Sequence, residues 1–164
     1  MSKVIMMCGV CGSGKTTFAK KKEKEGFIRI SIDEEMWRLY GARGIDYPND
    51  NYEELSSIVE SKLQNDIVNY IKEDKNLVID FSFWSKSNRK YYKNFLEELG
   101  ADIQLIYLKV DKETLKKRIE SRNKNHDANS QFIDEKTFEM YYNGFEEPKK
   151  SIWKKVCKFN RLLW

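Results

Sequence analysis

Near the start of this 164-residue chain, the sequence reads Gly9-Val10-Cys11-Gly12-Ser13-Gly14-Lys15-Thr16. It matches the pattern G-x-x-x-x-G-K-S/T, known as Walker A, at every fixed position. The apolar run 3–8 precedes the motif and predicts a buried strand, and residues 16–25 follow it as a predicted helix that ends at Gly26. Because the motif lies between a strand and a helix, we interpret it as a phosphate-binding loop rather than a glycine-rich turn without function.

The chemistry of such a loop assigns a role to each of its residues. Glycines let the backbone curl so that successive N–H groups point inward, and the helix N-terminus adds partial positive charge where phosphates bind. We expect Lys15 to reach the β- and γ-phosphates of ATP and Thr16 to ligate Mg²⁺. The predicted nucleotide-binding residues are Gly9, Cys11, Gly12, Ser13, Gly14, Lys15, Thr16 and Thr17.

Strands and helices alternate along the rest of the chain. Predicted strands cover 3–8, 27–32, 77–80, 103–110 and 156–159, and predicted helices cover 16–25, 34–40, 51–72, 89–99, 115–123 and 132–142. This order predicts an α/β fold of three layers, with a mostly parallel sheet of about five strands. No linker or repeat divides the sequence, so we predict one domain over 1–164. Ligands should bind at the carboxyl ends of the strands.

Asp80 ends the apolar run Leu77-Val78-Ile79. A carboxylate at this place is typical of Walker B, where it holds magnesium through water molecules. An aspartate that caps or positions the following helix would give the same pattern. We predict Asp80 as a magnesium-site residue, and the capping interpretation stays open.

The combination of several motifs resembles a known family. These motifs are GVCGSGKTT, Ser31-Ile32-Asp33, VIDFSF (78–83) followed by Arg89, LKKRIESRN (115–123) and FEEP (145–148). Together they resemble the small predicted-kinase branch of the AAA-type P-loop proteins, a family related to polynucleotide kinase, chloramphenicol phosphotransferase and zeta-toxin kinases. The resemblance implies a P-loop NTPase fold with a helical lid over approximately 115–135, and transfer of the γ-phosphoryl group from ATP·Mg²⁺ to a hydroxyl acceptor.

The same resemblance implies that Asp33 is the general base and that Arg118 and Arg122 belong to the lid, where they assist Lys15 in catalysis. Phosphoryl transfer needs positioning and charge neutralisation, which these residues could supply. Two alternatives stay open. The base could be Glu34 or Glu35, although the predicted strand should end at Asp33, and the arginines could belong to a solvated basic helix.

Aromatic residues follow the second and third predicted strands, where an acceptor would have to lie. They are Trp37, Tyr40, Tyr47, Phe83 and Trp84. Such side chains could stack on a base, a sugar or a drug-like ring, and packing in the core is the equal alternative.

Composition limits the classes of protein that fit. The chain is 40% apolar and 34% charged, and no apolar run approaches the length of a membrane span. No signal-peptide cleavage site precedes the glycines, and three cysteines cannot form a closed set of disulfides, so we expect a cytoplasmic protein. Cys11 lies near a predicted helix N-terminus, which favours a lowered thiol pKa.

The last sixteen residues carry six positive charges and no acidic side chain. A basic C-terminal tail of this kind could contact nucleic acid, and a solvated surface is the alternative. The first hypothesis for the chain is an ATP-dependent kinase of a small molecule or a nucleic-acid end. A P-loop ATPase that acts as a switch or as a nucleic-acid-processing subunit is the second, and a regulatory module that binds ATP without turnover is the third.

Overall fold

The structure is a computed structural model that describes residues 1–125, 127–128, 131–149, 153 and, for the backbone, 156–159. Its strands are β1 (Lys3–Cys8), β2 (Ile28–Ile30), β3 (Leu77–Ile79), β4 (Asp102–Leu108) and β5 (Val156–Phe159). They form one sheet in the order β2-β3-β1-β4-β5, and every neighbouring pair is parallel. The predicted α/β fold with about five mostly parallel strands is confirmed.

Helices connect the strands and cover both faces of the sheet. They are α1 (Lys15–Lys24), α2 (Ile32–Tyr40), α3 (Tyr52–Lys72), α4 (Lys86–Glu98), α5 (Lys112–Arg122) and α6 (Glu135–Gly144), with a short 3₁₀ helix at Asn49–Asn51. The side chains of Ser85, Asp111 and Asp134 cap α4, α5 and α6, each accepting a hydrogen bond from a backbone N–H three residues later. These caps fix where α4, α5 and α6 begin.

Alternation along β1 divides the core between the two faces of the sheet. Val4 and Met6 pack on the side of α3 and α4, whereas Ile5 and Met7 pack on the side of α1. Helix α3 buries a stripe with a spacing of four residues, made of Val59, Leu63, Ile67 and Ile71. Burial of each such side chain stabilises the fold by about 1.5–3 kcal/mol. The sheet with helices on both faces gives the predicted three layers.

A third apolar cluster packs the α5–α6 region onto the Walker A loop. Val10 of the loop contacts this cluster, to which α5 contributes Leu115 and Ile119 and α6 contributes Phe138. Asn123 joins the end of α5 to Ile133, since its side chain donates to the Ile133 carbonyl and accepts from the Ile133 N–H. Among the described residues, the predicted lid over 115–135 thus includes most of α5, Ile133 and the first residue of α6.

The second strand is shorter than the sequence predicted. It was expected over 27–32 and ends at Ile30, because Ser31 caps α2 and accepts a hydrogen bond from the Glu34 N–H at 3.3 Å. Asp33 therefore lies in the first turn of α2 and not at a strand end, which corrects the prediction. The sequence Ser31-Ile32-Asp33-Glu34 has the S-x-x-E form of a helix N-terminus, a signal that could have placed the boundary.

Candidate functional site

A cavity of about 920 Å³ lies beside the Walker A loop. One wall is the loop with the start of α1, a second is the face of α5 that carries Arg118 and Arg122, and a third is formed by Asp33 and α3. The segment after β3, from Asp80 to Trp84, completes it together with Met140 and Tyr141 of α6. Pockets for small ligands commonly measure about 300–1,000 Å³, so this cavity has room for nucleotide phosphates and a small second molecule.

Glycine is required at two points of the Walker A loop. A Cβ on Gly9 would lie 2.5 Å from Ser13 Oγ and 2.8 Å from the Leu108 carbonyl oxygen, closer than atoms can approach. Gly14 caps α1 with φ at +97°, in the left-handed region that favours glycine. The loop consequently holds a tight conformation that leaves backbone groups facing the cavity.

Lys15 folds back over its own loop. Its ammonium group donates to the Gly9 carbonyl at 2.8 Å and to the Val10 carbonyl at 3.0 Å. Burial lowers the pKa of this amine, and the nearby charge of Asp80 opposes the shift. The structure therefore brings Lys15 and Asp80 to the same site, as the motif assignments predicted.

Asp80 follows β3 directly and its side chain is held by Arg29. The guanidinium donates through Nε at 3.0 Å and through Nη2 at 2.7 Å, both to Oδ2. Arg29 also contacts Glu34 Oε1 at 3.1 Å. Arg29 carries no motif in the sequence, where its one signal is a charge inside a short apolar strand.

Asp33 lines the cavity from the first turn of α2. The side chain of Asp33 is exposed to the cavity. The protein atoms around its carboxylate nevertheless desolvate this group and raise its pKa, and the charge of Asp80 raises the pKa further. Lys15, Arg122 and Arg29 oppose that shift. The pKa of Asp33 thus responds to the same charged groups that surround the Walker A loop.

The rival carboxylates are engaged elsewhere. Glu34 contacts Arg29 and lies 4.0 Å from the ammonium group of Lys20. Glu35 pairs with Arg38 at 2.7 Å and with Lys62 at 3.1 Å. Neither Glu34 nor Glu35 lines the cavity. Among the three carboxylates left open by the sequence, Asp33 is the one that faces the cavity beside Lys15.

Arg118 and Arg122 lie on one face of α5 and both line the cavity. Arg118 donates to the carbonyl of Gly12 at 3.2 Å. The Nε atom of Arg122 is buried and has no hydrogen-bond partner among the described residues. Burial lowers the pKa of Arg122, while Cys11 and Asp33 oppose that shift. An unpartnered buried N–H beside this loop suits an anionic ligand such as phosphate.

The pKa expected for Cys11 was wrong in direction. Desolvation raises the pKa of its thiol, and the opposing charges of Lys15 and Arg122 do not reverse this. Cys8 is buried in the core and burial raises its thiol pKa to about 11. Both cysteines are free thiols.

Of the predicted aromatic residues, Phe83 and Trp84 line the cavity. Trp84 is fixed in place because its indole N–H donates to the Tyr141 carbonyl at 2.9 Å. Tyr40 and Tyr47 pack edge to face against each other and onto the core, and neither they nor Trp37 line the cavity. Four further cavity-lining residues were not predicted from the sequence, because their helical positions carry no motif: Tyr52, Glu60, Asn88 and Tyr141.

Buried Arg89 joins the two segments that carry Phe83, Trp84 and the FEEP motif. Its guanidinium donates to the Phe83 carbonyl at 2.6 Å and to the Trp84 carbonyl at 3.2 Å, and also to the Glu146 carbonyl. Phe83 has φ at +42°, unusual for a residue with a large side chain. Arg89 and its carbonyl partners therefore hold the wall of the cavity around Trp84.

Some predictions cannot be compared with the structure. Apart from Lys149, the basic residues of the tail lie outside the described residues or have undescribed side chains, so the predicted nucleic-acid contact stays a prediction. In the part of the chain that the structure describes, no helix combines the length and apolar character needed to span a membrane. The cytoplasmic location stays a prediction.

A family model described as an AAA domain matches residues 4–148. No curated protein matches the sequence. Solved structures do match in fold. A candidate kinase from Chloroflexus aurantiacus has a TM-score of 0.74 and 13% identity, covering 97% of this chain and 88% of that chain.

Two further structures have similar folds. A chain of the Pnkp1/Rnl/Hen1 RNA repair complex has a TM-score of 0.72 and 21% identity, covering 87% of this chain and 43% of that chain. A gluconokinase from Sinorhizobium meliloti has a TM-score of 0.59 and 16% identity, covering 96% of this chain and 82% of that chain. At these identities the likeness shows the fold.

Proposed function

Because the chain belongs to the AAA domain family of P-loop, kinase-like proteins, we propose that it is a phosphotransferase that moves the γ-phosphoryl group of ATP·Mg²⁺ to a hydroxyl acceptor. We propose that residues 1–164 form one domain with a lid over approximately 115–135. The observation that supports it best is that Asp33, a carboxylate outside the Walker A motif, faces the same cavity as Lys15.

The residues of the loop and of α5 fit the triphosphate of a nucleotide. The loop is shaped by Gly9 and Gly14, and it precedes the N-terminus of α1, where the helix dipole attracts anions. Lys15, Arg118 and Arg122 add three cationic side chains around it. We infer that Lys15 exchanges its loop carbonyl partners for phosphate oxygens when nucleotide binds.

Thr16 and Asp80 fit a magnesium ion. Both line the cavity, and a hydroxyl plus a carboxylate are oxygen donors of the kind that Mg²⁺ prefers. When bound, the ion would neutralise charge on the phosphates. Arg29 donates twice to Oδ2 of Asp80, which holds the carboxylate in place beside the loop.

Asp33 would act as the general base in the transfer step. Its carboxylate takes the proton from the acceptor hydroxyl, the hydroxyl oxygen bonds to the γ-phosphorus, and the bond from that phosphorus to the β-phosphate oxygen breaks. The products are ADP, a phosphorylated acceptor and the proton that Asp33 releases. A raised pKa makes Asp33 a stronger base than an ordinary carboxylate.

An acceptor screen with γ-labelled ATP tests the proposal. Label on an organic acceptor supports a kinase. Label that appears only in free phosphate, with every acceptor class offered, would show that water is the acceptor. The switch or ATPase hypothesis would then replace the kinase.

A further inference from the structure

The cationic side chains that line the cavity are confined to one side of it. Its cationic side chains are Lys15, Lys20, Arg118 and Arg122, and all of them belong to α1 or α5. The wall made by α3, α6 and residues 81–84 has no lysine or arginine among the described lining residues. We call that wall the acceptor wall. It includes Tyr52, Glu60, Trp84, Met140 and Tyr141.

Glu60 is the carboxylate of the acceptor wall. It is half-buried on α3, and it pairs with no cation among the described residues. The hydroxyl of Tyr92 donates to Glu60 Oε1 at 2.6 Å. A carboxylate that lines a ligand cavity and lacks a counter-ion favours a cationic group on the ligand.

The support behind Glu60 is rigid. Tyr92 is fully buried, its hydroxyl accepts from Gln64 at 3.2 Å, and its ring packs edge to face on Phe81 and Phe83. Glu60 is thus held against the cavity by a neutral hydrogen bond that satisfies one lone pair of one oxygen and leaves the negative charge uncompensated.

We infer that the acceptor carries an ammonium group as well as the reacting hydroxyl, and that Glu60 binds this ammonium group. This inference rests on the proposed function for the identity of the second ligand. Trp84, Met140 and Tyr141 offer apolar surface to the carbon skeleton of such an amino alcohol. Electrostatic complementarity selects ligands mainly by rejecting the wrong charge. A carboxylate- or phosphate-bearing acceptor would meet Glu60 without a cation on the acceptor wall to offset it.

Binding of matched ligand trios tests the inference separately from catalysis. Serinol, glycerol and glycerate form one trio, and phenylalaninol, phenylpropanol and phenyllactate form the second. Each ligand is titrated calorimetrically into the full chain with Mg²⁺ and the β,γ-imido analogue of ATP. We expect the amine to bind most tightly in at least one trio, and Glu60→Gln to weaken the amine about tenfold or more without weakening the neutral member.

Glu54→Gln is the matched control, because Glu54 is exposed on the same helix and lies outside the cavity. It should leave all affinities unchanged. The inference is overturned if no amine binds, if the neutral or carboxylate member binds as tightly, or if Glu60→Gln leaves the preference for the amine intact.

The transfer assay then reports on the proposed function alone. Amine binding that depends on Glu60, together with label found only in free phosphate, would keep the inferred ligand class and reject the kinase. Transfer of label to a neutral or anionic acceptor, at a rate that Glu60→Gln leaves unchanged, would support the kinase and reject the inferred ligand class.

Discussion

Arg29 and Asp80 form a buried ion pair, with 2.7 Å between Nη2 and Oδ2 and side chains that are 6% and 3% exposed. The pair joins β2 to the residue that follows β3, directly beside the Walker A loop. Because both charges are buried, removal of either side chain should destabilise the fold. The charge that remains would be desolvated without a partner.

We therefore expect Arg29→Met to lower the free energy of unfolding by about 3 kcal/mol, near the low end for buried pairs because Lys15 still faces Asp80. Urea denaturation measures this. Arg38→Met, which removes an exposed arginine from α2, should unfold at the wild-type urea concentration. The double variant Arg29→Met with Asp80→Asn should lose less stability than the sum of the two single changes, and strict additivity would contradict the coupling.

Lys15→Ala and Thr16→Ala should lose productive use of ATP·Mg²⁺ while remaining folded, because both side chains line the cavity and neither belongs to the core. Calorimetric titration with ATP and magnesium measures binding, and the urea midpoint checks folding. Lys24→Ala, at the exposed end of α1, is the control and should behave as wild type. Wild-type binding and turnover in Lys15→Ala would remove the assignment of the loop.

Cys11 should alkylate slowly at neutral pH. Desolvation raises its thiol pKa above the usual value of 9.0, so the reactive thiolate forms only as the pH rises beyond that value. The rate with iodoacetamide is measured against pH in a Cys8→Ala, Cys157→Ser background. Adding Arg122→Met should move the profile to still higher pH, because the arginine charge lowers the pKa of the Cys11 thiol.

Bound ATP·Mg²⁺ should protect Cys11 from alkylation. Equal rates with and without nucleotide would place the thiol away from the phosphates.

Sequence alone predicted the parts of the molecule that depend on local pattern. The glycines, Lys15 and Asp80 follow from fixed spacings next to apolar runs, and the four-residue spacing of Val59, Leu63 and Ile67 predicts α3. The acceptor wall could not be predicted in the same way. Glu60 reaches the cavity only because α3 packs beside the segment after β3, a long-range contact that leaves no local signal.

The ionised carboxylate of Asp33 should lower the free energy of unfolding at neutral pH. The folded state raises the pKa of Asp33 above its usual 3.8, so ionisation of Asp33 is less favourable in the folded chain than in the unfolded chain. Its destabilising effect is absent below the unfolded pKa, grows as the pH rises from the unfolded to the folded pKa, and is constant above the folded pKa. Asp33→Asn should therefore unfold at higher urea than wild type at pH 7, and the difference should shrink toward pH 3. A variant less stable than wild type at pH 7 would contradict the direction of the shift.

The activity of the same variant separates a kinase from a switch. Asp33→Asn keeps the shape of the side chain and removes the proton acceptor, so ATP·Mg²⁺ should still bind through Lys15 and Thr16. Transfer to the acceptor should fall by about 10²–10⁴, the usual contribution of a general base. Because the pKa of Asp33 is raised, the acid limb of the wild-type rate profile should lie at higher pH than the usual 3.8 of an aspartate, and Asp33→Asn should abolish that limb.

Glu34→Gln and Glu35→Gln are the matched controls, since both carboxylates lie on the same turn of α2, pair with arginine or lysine side chains and do not line the cavity. Each should retain most of the transfer rate, with Glu34→Gln losing more because Glu34 shares Arg29 with Asp80. Wild-type transfer in Asp33→Asn together with a large loss in either glutamate variant would move the role of base to that glutamate. Should all three variants release phosphate at the wild-type rate, no carboxylate of α2 removes a proton from the acceptor, and the γ-phosphate goes to water as the switch hypothesis requires.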